Sequence, residues 1–185
     1  PGVALPALDV DYLAVCRHAA ERLGRLGHRR LAMLTPARGL PGDRLGEQGF
    51  REAAAALGAT ARIVYHDGTP AHIRRVTDAA LGAPRPPTAF LVAGAHPALA
   101  LIGRLLQTGH RLPRDLSLVC RDDDDALAWC MPPPARYQID LDLYARRSAR
   151  ALLRLARGGP GRLALPPVMP RFLPGATLAP PPDLV

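Results

Sequence analysis

The stretch TAFLVAGAHPALALIGRLLQ, Thr88 to Gln107, decides the fold class of this chain. Its first residues form a short apolar run of strand length, and Pro84, Pro86 and Pro87 force an extended connection into it. The segment from about Pro97 onward is long enough for a helix and is apolar nearly all round. The stretch therefore predicts a buried strand followed by a helix that is covered by the sheet and by a second surface, such as a partner subunit.

The same order of strand and helix recurs on both sides of this stretch. Apolar runs bounded by Gly and Pro predict strands, and apolar residues at three- and four-residue spacing predict helices. We expect strands near 31–34, 61–65, 88–92, 116–120, 137–140 and 163–165, and helices near 10–26, 44–57, 71–81, 97–107 and 141–157. The last helix should bury Ala145, Ala149, Leu152 and Ala156. The alternation predicts an α/β fold, a Rossmann-like parallel sheet with helices on both faces.

Composition narrows the class of protein. The 185 residues are 48% hydrophobic, enough for a sizeable core, and no window approaches the roughly 18 apolar residues of a membrane span. No secretory signal is visible, and three cysteines without metal-type spacing favour reduced thiols in a cytoplasmic protein. The net charge of +8 comes from dispersed arginines without interleaved aromatic residues, so solvated helix faces are expected rather than a nucleic-acid surface.

Four loops are expected to form the ligand site, at 35–43, 66–70, 93–96 and 121–134. Ligands of open parallel sheets bind beyond the carboxyl ends of the strands, where these loops are predicted to lie. Asp122, the first of four consecutive aspartates, directly follows a predicted strand and can accept hydrogen bonds from a polar ligand. Consecutive carboxylates point around the chain rather than at one ion, so no metal site is expected. The other candidate ligand-binding residues are Arg44, Asp67 and His96, which lie in or beside these loops.

No arrangement of residues indicates catalysis. No Ser or Cys nucleophile has a defensible His and carboxylate partner. No glycine-rich stretch follows a strand with dinucleotide- or phosphate-binding spacing. We therefore expect a binding protein without catalytic residues and without a cofactor.

Several segments, in the same order along the chain, resemble the LacI/GalR family of transcriptional repressors. The most specific is GHRLPRDLSLV at 109–119, which is similar to the Gly…Pro-x-Asp-(Ile/Leu)-Ser-Val-Val segment of that family. Asp122 and Asp123 follow where the family has its Asp-Asp pair. The other similar segments are LGHRRLAML at 26–34, GFREA at 49–53, PTAF at 87–90 and the prolines at 132–133.

This resemblance, over about residues 9–177, implies a two-lobed, periplasmic-binding-protein-like type I effector domain. Family members form homodimers and contact operator DNA through a helix-turn-helix head. No stretch of this sequence reads as that head, so operator binding is expected only through an absent segment. The implied division is 1–26 as the remnant of the N-terminal lobe and crossover helix, 27–135 as the C-terminal lobe, 136–162 as the crossover segment and helix associated with the N-terminal lobe, and 163–185 as the return strand and tail.

The effector contacts of the family are only partly present. Where the family commonly has an Arg three residues before its Gly-aromatic pair, this chain has Gly46, with Arg44 two positions earlier as the candidate substitute. Where the family often has Asn-Asp after Pro-Thr-Ala, this chain has Gly-Ala followed by His96. Of the usual polar contacts, only Asp122 remains.

These features favour the effector-binding and dimerisation region of a LacI-type transcriptional regulator. Its effector is expected to be a small molecule, of a sugar-like kind, that controls operator binding by the missing head. Two alternatives stay open. A solute-binding protein of the same fold would serve transport, which the cysteine usage argues against, and an α/β enzyme would depend on Asp122 or His96.

Overall fold

The computed structural model describes residues 8–157 and 165–182, and strands and helices alternate along them. The strands are β1 (Arg30–Pro36), β2 (Thr60–His66), β3 (Ala89–Val92), β4 (Ser117–Cys120), β5 (Ala135–Gln138) and β6 (Arg171–Leu173). The helices are α1 (Tyr12–Arg25), α2 (Pro41–Ala56), α3 (Pro70–Leu81), α4 (Ala95–Gln107), α5 (Asp125–Ala128) and α6 (Leu141–Ala156). The sheet order is β2-β1-β3-β4-β5-β6, with only β6 antiparallel to its neighbour among these described strands. The predicted α/β fold is confirmed.

Two apolar layers, one on each face of the sheet, form the core. Successive residues of a strand point to opposite faces, so Met33 of β1 joins the layer under α1 and α2, whereas Leu34 joins the layer under α3 and α4. β3 and β4 are buried along their whole length. Continuous apolar strands of this kind are typical of parallel sheets that are covered by helices on both sides.

Helices α1 and α2 pack closely because α2 presents three glycines to α1. Gly42, Gly46 and Gly49 lie on one face of α2, and all three are buried. A Cβ atom added to Gly46 would lie 2.9 Å from the Sγ of Cys16. A Cβ atom added to Gly49 would overlap the backbone carbonyl of Leu13. The glycines therefore allow the close approach of α1 and α2.

The proline-rich C-terminal segment is joined to the sheet. β6 pairs with β5, and the Oγ1 of Thr177 donates to the carbonyl of Leu118 at 2.6 Å. The same Oγ1 accepts from the backbone N–H of Ala135 at 2.9 Å. The sequence pattern did not predict β6, because a strand of three residues is defined by its partner rather than by periodicity. The strand expected near 163–165 falls mainly on residues outside the described ones.

Helix α6 presents the opposite face to the one predicted from the sequence. Four residues predicted to be buried are exposed: Ala145, Ala149, Leu152 and Ala156. Ala151 is buried instead, and the hydroxyl of Tyr144 donates to the carbonyl of Leu8 at 2.7 Å. The prediction is wrong because both sides of this helix carry apolar residues, and periodicity alone cannot choose between two apolar stripes.

Several boundaries differ from the sequence prediction. α2 begins three residues early at Pro41, because proline suits the first turn of a helix and Asp43 accepts a hydrogen bond from the N–H of Leu40 at 2.8 Å. β5 begins two residues early, and the short helix α5 lies inside 121–134, for which the sequence pattern predicted no helix. Among the described helices, none has the length and apolar content needed to cross a membrane.

Candidate functional site

A cleft of about 420 Å³ opens where β4 and β5 end. One wall is the run Arg121–Asp125 that follows β4, and another includes Tyr137 and Gln138 from β5. Val10 and Pro170 complete the rim, from two chain passages that meet in a parallel bridge between Val10 and Val168. The cleft thus lies at the carboxyl ends of parallel strands, where this class of sheet binds its ligands.

Arg121 is the central polar group of the cleft. Its guanidinium donates from Nη1 to Oδ1 of Asp43 at 2.5 Å and from Nε to Oδ2 of Asp122 at 3.2 Å. The Cζ atom stands 4.4 Å from the centroid of the Tyr12 ring, a cation–π contact. The side chain is only 9% exposed. Burial alone would lower the pKa of Arg121, but the two carboxylates outweigh it and raise this pKa, so the group stays charged.

The partners of Arg121 are themselves fixed by local structure. Asp43 uses its Oδ2 to cap the first turn of α2 and keeps its Oδ1 for Arg121. Tyr12 is the first residue of α1, directly after the Asp11 side chain that accepts from the N–H of Ala14 and caps that helix. Sequence reasoning selected Asp122 but not Arg121, Asp43 or Tyr12. A proline followed by an acidic residue in a first helical turn could have revealed the capping Asp43, but no local pattern reveals its contact with Arg121.

The four consecutive aspartates have different partners. Asp123 accepts from Nε of Arg136 at 2.5 Å and from Nε2 of Gln138 at 2.7 Å, which ties it to β5. Asp124 caps α5 by accepting from the N–H of Ala126 at 2.8 Å. Asp122 is half-buried and lies beside Arg121 in the cleft. All four aspartates line the cleft, but Asp123 and Asp124 also hold local structure, whereas Asp122 is paired with Arg121.

The other three candidate residues do not line this cleft. Arg44 is exposed and lines a separate depression next to Tyr65. Asp67 accepts from both the N–H and the hydroxyl of Thr69, and these bonds, with His72 nearby, lower the pKa of its carboxyl to about 2. Asp67 thus stabilises its own loop ahead of α3. His96 is exposed in the first turn of α4.

Gly46, the position where the resembled family commonly has Arg, faces α1 and not the cleft. A Cβ atom there would lie 2.9 Å from the Sγ of Cys16, so a longer side chain fits only if Cys16 shifts. The guanidinium of Arg121 lies between Asp43 and Tyr12, at the junction of the same two helices. The chain therefore carries its buried guanidinium on the segment after β4 instead of on α2.

Comparison with known proteins places this geometry in a family. A family model described as "Periplasmic binding protein-like domain" matches residues 10–178. The chain belongs to this family. The curated HTH-type transcriptional regulator CelR of Thermobifida fusca is 28% identical over 154 residues, which are 79% of this chain and 44% of CelR. This periplasmic-binding-protein-like chain therefore spans less than half the length of that relative.

Solved structures agree with the family assignment. A LacI family transcriptional regulator from Bifidobacterium animalis superposes with a TM-score of 0.87 at 25% identity, covering 96% of this chain and 65% of that one. A LacI family regulator from Enterococcus faecium, described with bound ribose, has a TM-score of 0.82 at 18% identity over 95% of this chain and 65% of that one, and shows the fold. The resemblance to LacI-type regulators is confirmed, and the relatives are regulators rather than enzymes.

Proposed function

We propose that this chain is the effector-binding and dimerisation region of a LacI-type transcriptional regulator. The observation that carries the proposal is the cleft at the ends of β4 and β5, where Asp122 and Arg121 offer an acceptor beside a donor in a family of ligand-binding domains. Small-molecule recognition depends on a few polar groups that fix the orientation of the ligand, and here they lie beside apolar residues such as Val10, Ile139 and Pro170. Operator DNA is bound by a separate helix-turn-helix head.

The chain contributes the C-terminal lobe and the segments that connect it to an N-terminal lobe. In this division, residues 27–135 belong to the C-terminal lobe, residues 136–162 to the crossover segment and the helix associated with the N-terminal lobe, and residues 163–185 to the return strand and the tail. Residues 1–26 belong to the remnant of the N-terminal lobe and the crossover helix, which is α1 and packs on the C-terminal lobe. The exposed stripe on α6 supports this division, because Leu141 and Leu152 are 75% and 67% exposed and need a covering surface.

Effector binding between the two lobes would favour their closed arrangement and so alter the spacing of the DNA-binding heads. A ligand can shift such an equilibrium only by its difference in affinity for the open and closed states. The connecting passages lie beside the cleft, since the N–H of Asp11 donates to the carbonyl of Val168 at 3.0 Å next to Val10. A ligand that contacts Asp122 is therefore placed close to the segments that must bend.

The intact regulator works as a homodimer. In each copy, α4 and the loop after α5 form the surface that contacts the other copy. Trp129 and Met131 are 87% and 88% exposed, and Leu106 near the end of α4 is 62% exposed. Cys130, between the first two, packs on the same apolar layer as α4. Sedimentation of the intact regulator should show a dimer that the double variant Trp129→Ser, Met131→Ser converts to a monomer. A dimer of unchanged stability in that variant would contradict this surface.

Three further properties complete the proposal. The protein is a cytoplasmic regulator and not an enzyme, and its effector is a small, sugar-like molecule. The buried, free thiols of Cys16 and Cys120 fit a reducing compartment, which favours a cytoplasmic regulator over a solute-binding protein that serves transport. The ribose bound by the related fold of the Enterococcus regulator supports a neutral sugar as the first probe. Arg44, Asp67 and His96 stay as candidate contacts of a larger effector.

Binding of operator DNA by the intact regulator tests this function. Fluorescence anisotropy of labelled DNA from the region upstream of the regulator's own gene is measured with and without D-ribose, D-glucose and a set of nucleosides. We expect one of these neutral compounds to change the affinity for DNA by about five- to 150-fold, the range of typical allosteric coupling. An intact protein that binds no upstream DNA, or a substrate turned over by the purified protein, would overturn the proposal.

A further inference from the structure

Arg121 combines burial with unused hydrogen-bonding capacity. It is the one cationic side chain among the described residues that line the cleft, and it is 9% exposed. A guanidinium carries five N–H donors. Two of them are used, from Nε to Asp122 and from Nη1 to Asp43. Within residues 8–157 and 165–182, the hydrogen bonds of this guanidinium leave from Nε and Nη1, and none leaves from Nη2.

The position of the guanidinium is held from three sides. Asp43, which the cap of α2 fixes, binds one edge, and Asp122 binds another. The ring of Tyr12 stacks against the guanidinium plane. The free donors thus point in a fixed direction before any ligand arrives, and a preorganised donor loses little entropy on binding.

We propose that Arg121 determines effector specificity by donating its free N–H groups to neighbouring hydroxyl groups of the ligand, next to Asp122, which accepts from the same hydroxyls; this inference rests on the proposed function. A vicinal diol matches such a pair, because each hydroxyl both accepts and donates one hydrogen bond. Arg121 thereby supplies a guanidinium at the cleft of a chain that has Gly46 where the resembled family commonly has an Arg.

The local charge selects neutral ligands. Arg121 contributes one positive charge against the two carboxylates that it contacts, so the cluster keeps one negative charge. Asp124 and Asp125 add two further carboxylates to the lining of the cleft. A phosphate group would meet this field at short range and be repelled, whereas a neutral polyol makes the same hydrogen bonds without that cost.

Calorimetric titration of the intact regulator with D-ribose, D-glucose and inorganic phosphate tests the inference. Arg121→Lys keeps the positive charge between Asp43 and Asp122 but loses the planar guanidinium group and its fixed N–H donors. Arg121→Met removes both. Arg25→Met is the matched control, because that arginine is 71% exposed in the last turn of α1. Circular dichroism and thermal unfolding establish which variants are folded.

We expect a sugar to bind the wild type, and Arg121→Lys to weaken this binding by about ten- to a hundredfold, as the loss of a charge-assisted hydrogen bond does. Arg25→Met should bind as the wild type does, and phosphate should bind neither protein. If Arg121→Met does not fold, the comparison with Arg121→Lys decides, since the lysine keeps the buried charge.

The contrary outcomes are distinct. Folded Arg121 variants with wild-type affinity for the sugar would make Arg121 a purely structural residue and leave the proposed function standing. Phosphate binding tighter than sugar binding would overturn the neutral-ligand assignment. Failure of the wild type to bind either sugar would count against this inference, and if operator DNA also fails to respond to any neutral compound, against the proposed function itself.

Discussion

Replacement of the buried His28 should destabilise the whole sheet. His28 is 0% exposed and lies just before β1. Its Nε2 is 2.9 Å from the carbonyl oxygen of Ala179, and its Nδ1 is 2.9 Å from Oγ1 of Thr88. Because a carbonyl can only accept, Nε2 carries the proton and Nδ1 accepts from the Thr88 hydroxyl. The imidazole thus links the C-terminal segment to the amino end of β3.

The magnitude follows from these bonds. His28→Leu removes the bond from the Thr88 hydroxyl and the N–H of Nε2, which is shared between the carbonyl of Ala179 and Oγ of Ser117 at 3.0 Å. The loss of these two donor interactions costs about 1 kcal/mol each, and up to about 2 kcal/mol more is lost if the Thr88 hydroxyl is left poorly satisfied. The carbonyl of Ala179 keeps its bond from Oγ of Ser117 at 2.9 Å, so it adds no further penalty. The sum is a loss of about 2–4 kcal/mol, a large part of the roughly 5–15 kcal/mol that stabilises a typical domain.

Equilibrium unfolding in urea, followed by circular dichroism, measures this loss. The matched control is His110→Leu, because His110 meets Thr108 at 2.9 Å in the exposed turn after α4, and that hydroxyl also donates to the carbonyl of Arg104. We expect the control to change the free energy of unfolding by less than about 0.5 kcal/mol. Equal, small changes in the two variants would refute the role given to His28.

Three further predictions concern pH, thiols and helix packing. Burial is the main cause that lowers the pKa of three histidines below 6.5: His18, His28 and His66. As the pH falls through 6.5, the unfolded chain therefore binds more protons than the folded chain, and the free energy of unfolding should decrease. Urea midpoints that stay constant from pH 7 to pH 5 would contradict this. Burial also raises the pKa of the Cys16 and Cys120 thiols to about 12. A disulfide reagent at pH 8 should therefore label the half-buried Cys130 first. Rapid labelling of all three cysteines in the folded protein would count against the burial of Cys16 and Cys120. Gly49→Ala should destabilise by about 1–3 kcal/mol by forcing α1 from α2. Gly103→Ala, where a Cβ meets nothing within 4 Å, should instead stabilise by about 0.5–1 kcal/mol, and thermal unfolding that ranks the two in the opposite order would disprove the packing argument.

The sequence was sufficient for the elements whose signal is local. β1, β3 and β4 are continuous apolar runs, α2 and α3 each show one apolar stripe, and α4 is a helix-length apolar run, so their positions and order could be predicted. Helix α6 could not be oriented, because it carries two apolar stripes and the choice depends on what covers each. β6 could not be predicted from the sequence, because its three residues form a strand only by pairing with β5.

The candidate site divides in the same way. The position of Asp122 in the cleft could be predicted, because it lies two residues after the carboxyl end of β4. The partners of Arg121 lie 78 residues away at Asp43 and on a different helix at Tyr12, so only the fold brings them together. Asp67 was selected by its loop position, yet its hydrogen bonds to Thr69 are local and stabilise the loop.

The central claim is that the cleft beside Asp122 binds the effector, and the exchange of one atom tests it most directly. Asp122→Asn keeps the shape of the side chain but removes a carboxylate oxygen that accepts from ligand hydroxyls. In calorimetric titrations of the intact regulator with D-ribose and D-glucose, the wild type should bind one sugar and the variant should bind it at least about tenfold more weakly. Equal affinity of the wild type and a folded Asp122→Asn variant would contradict the assignment of this cleft.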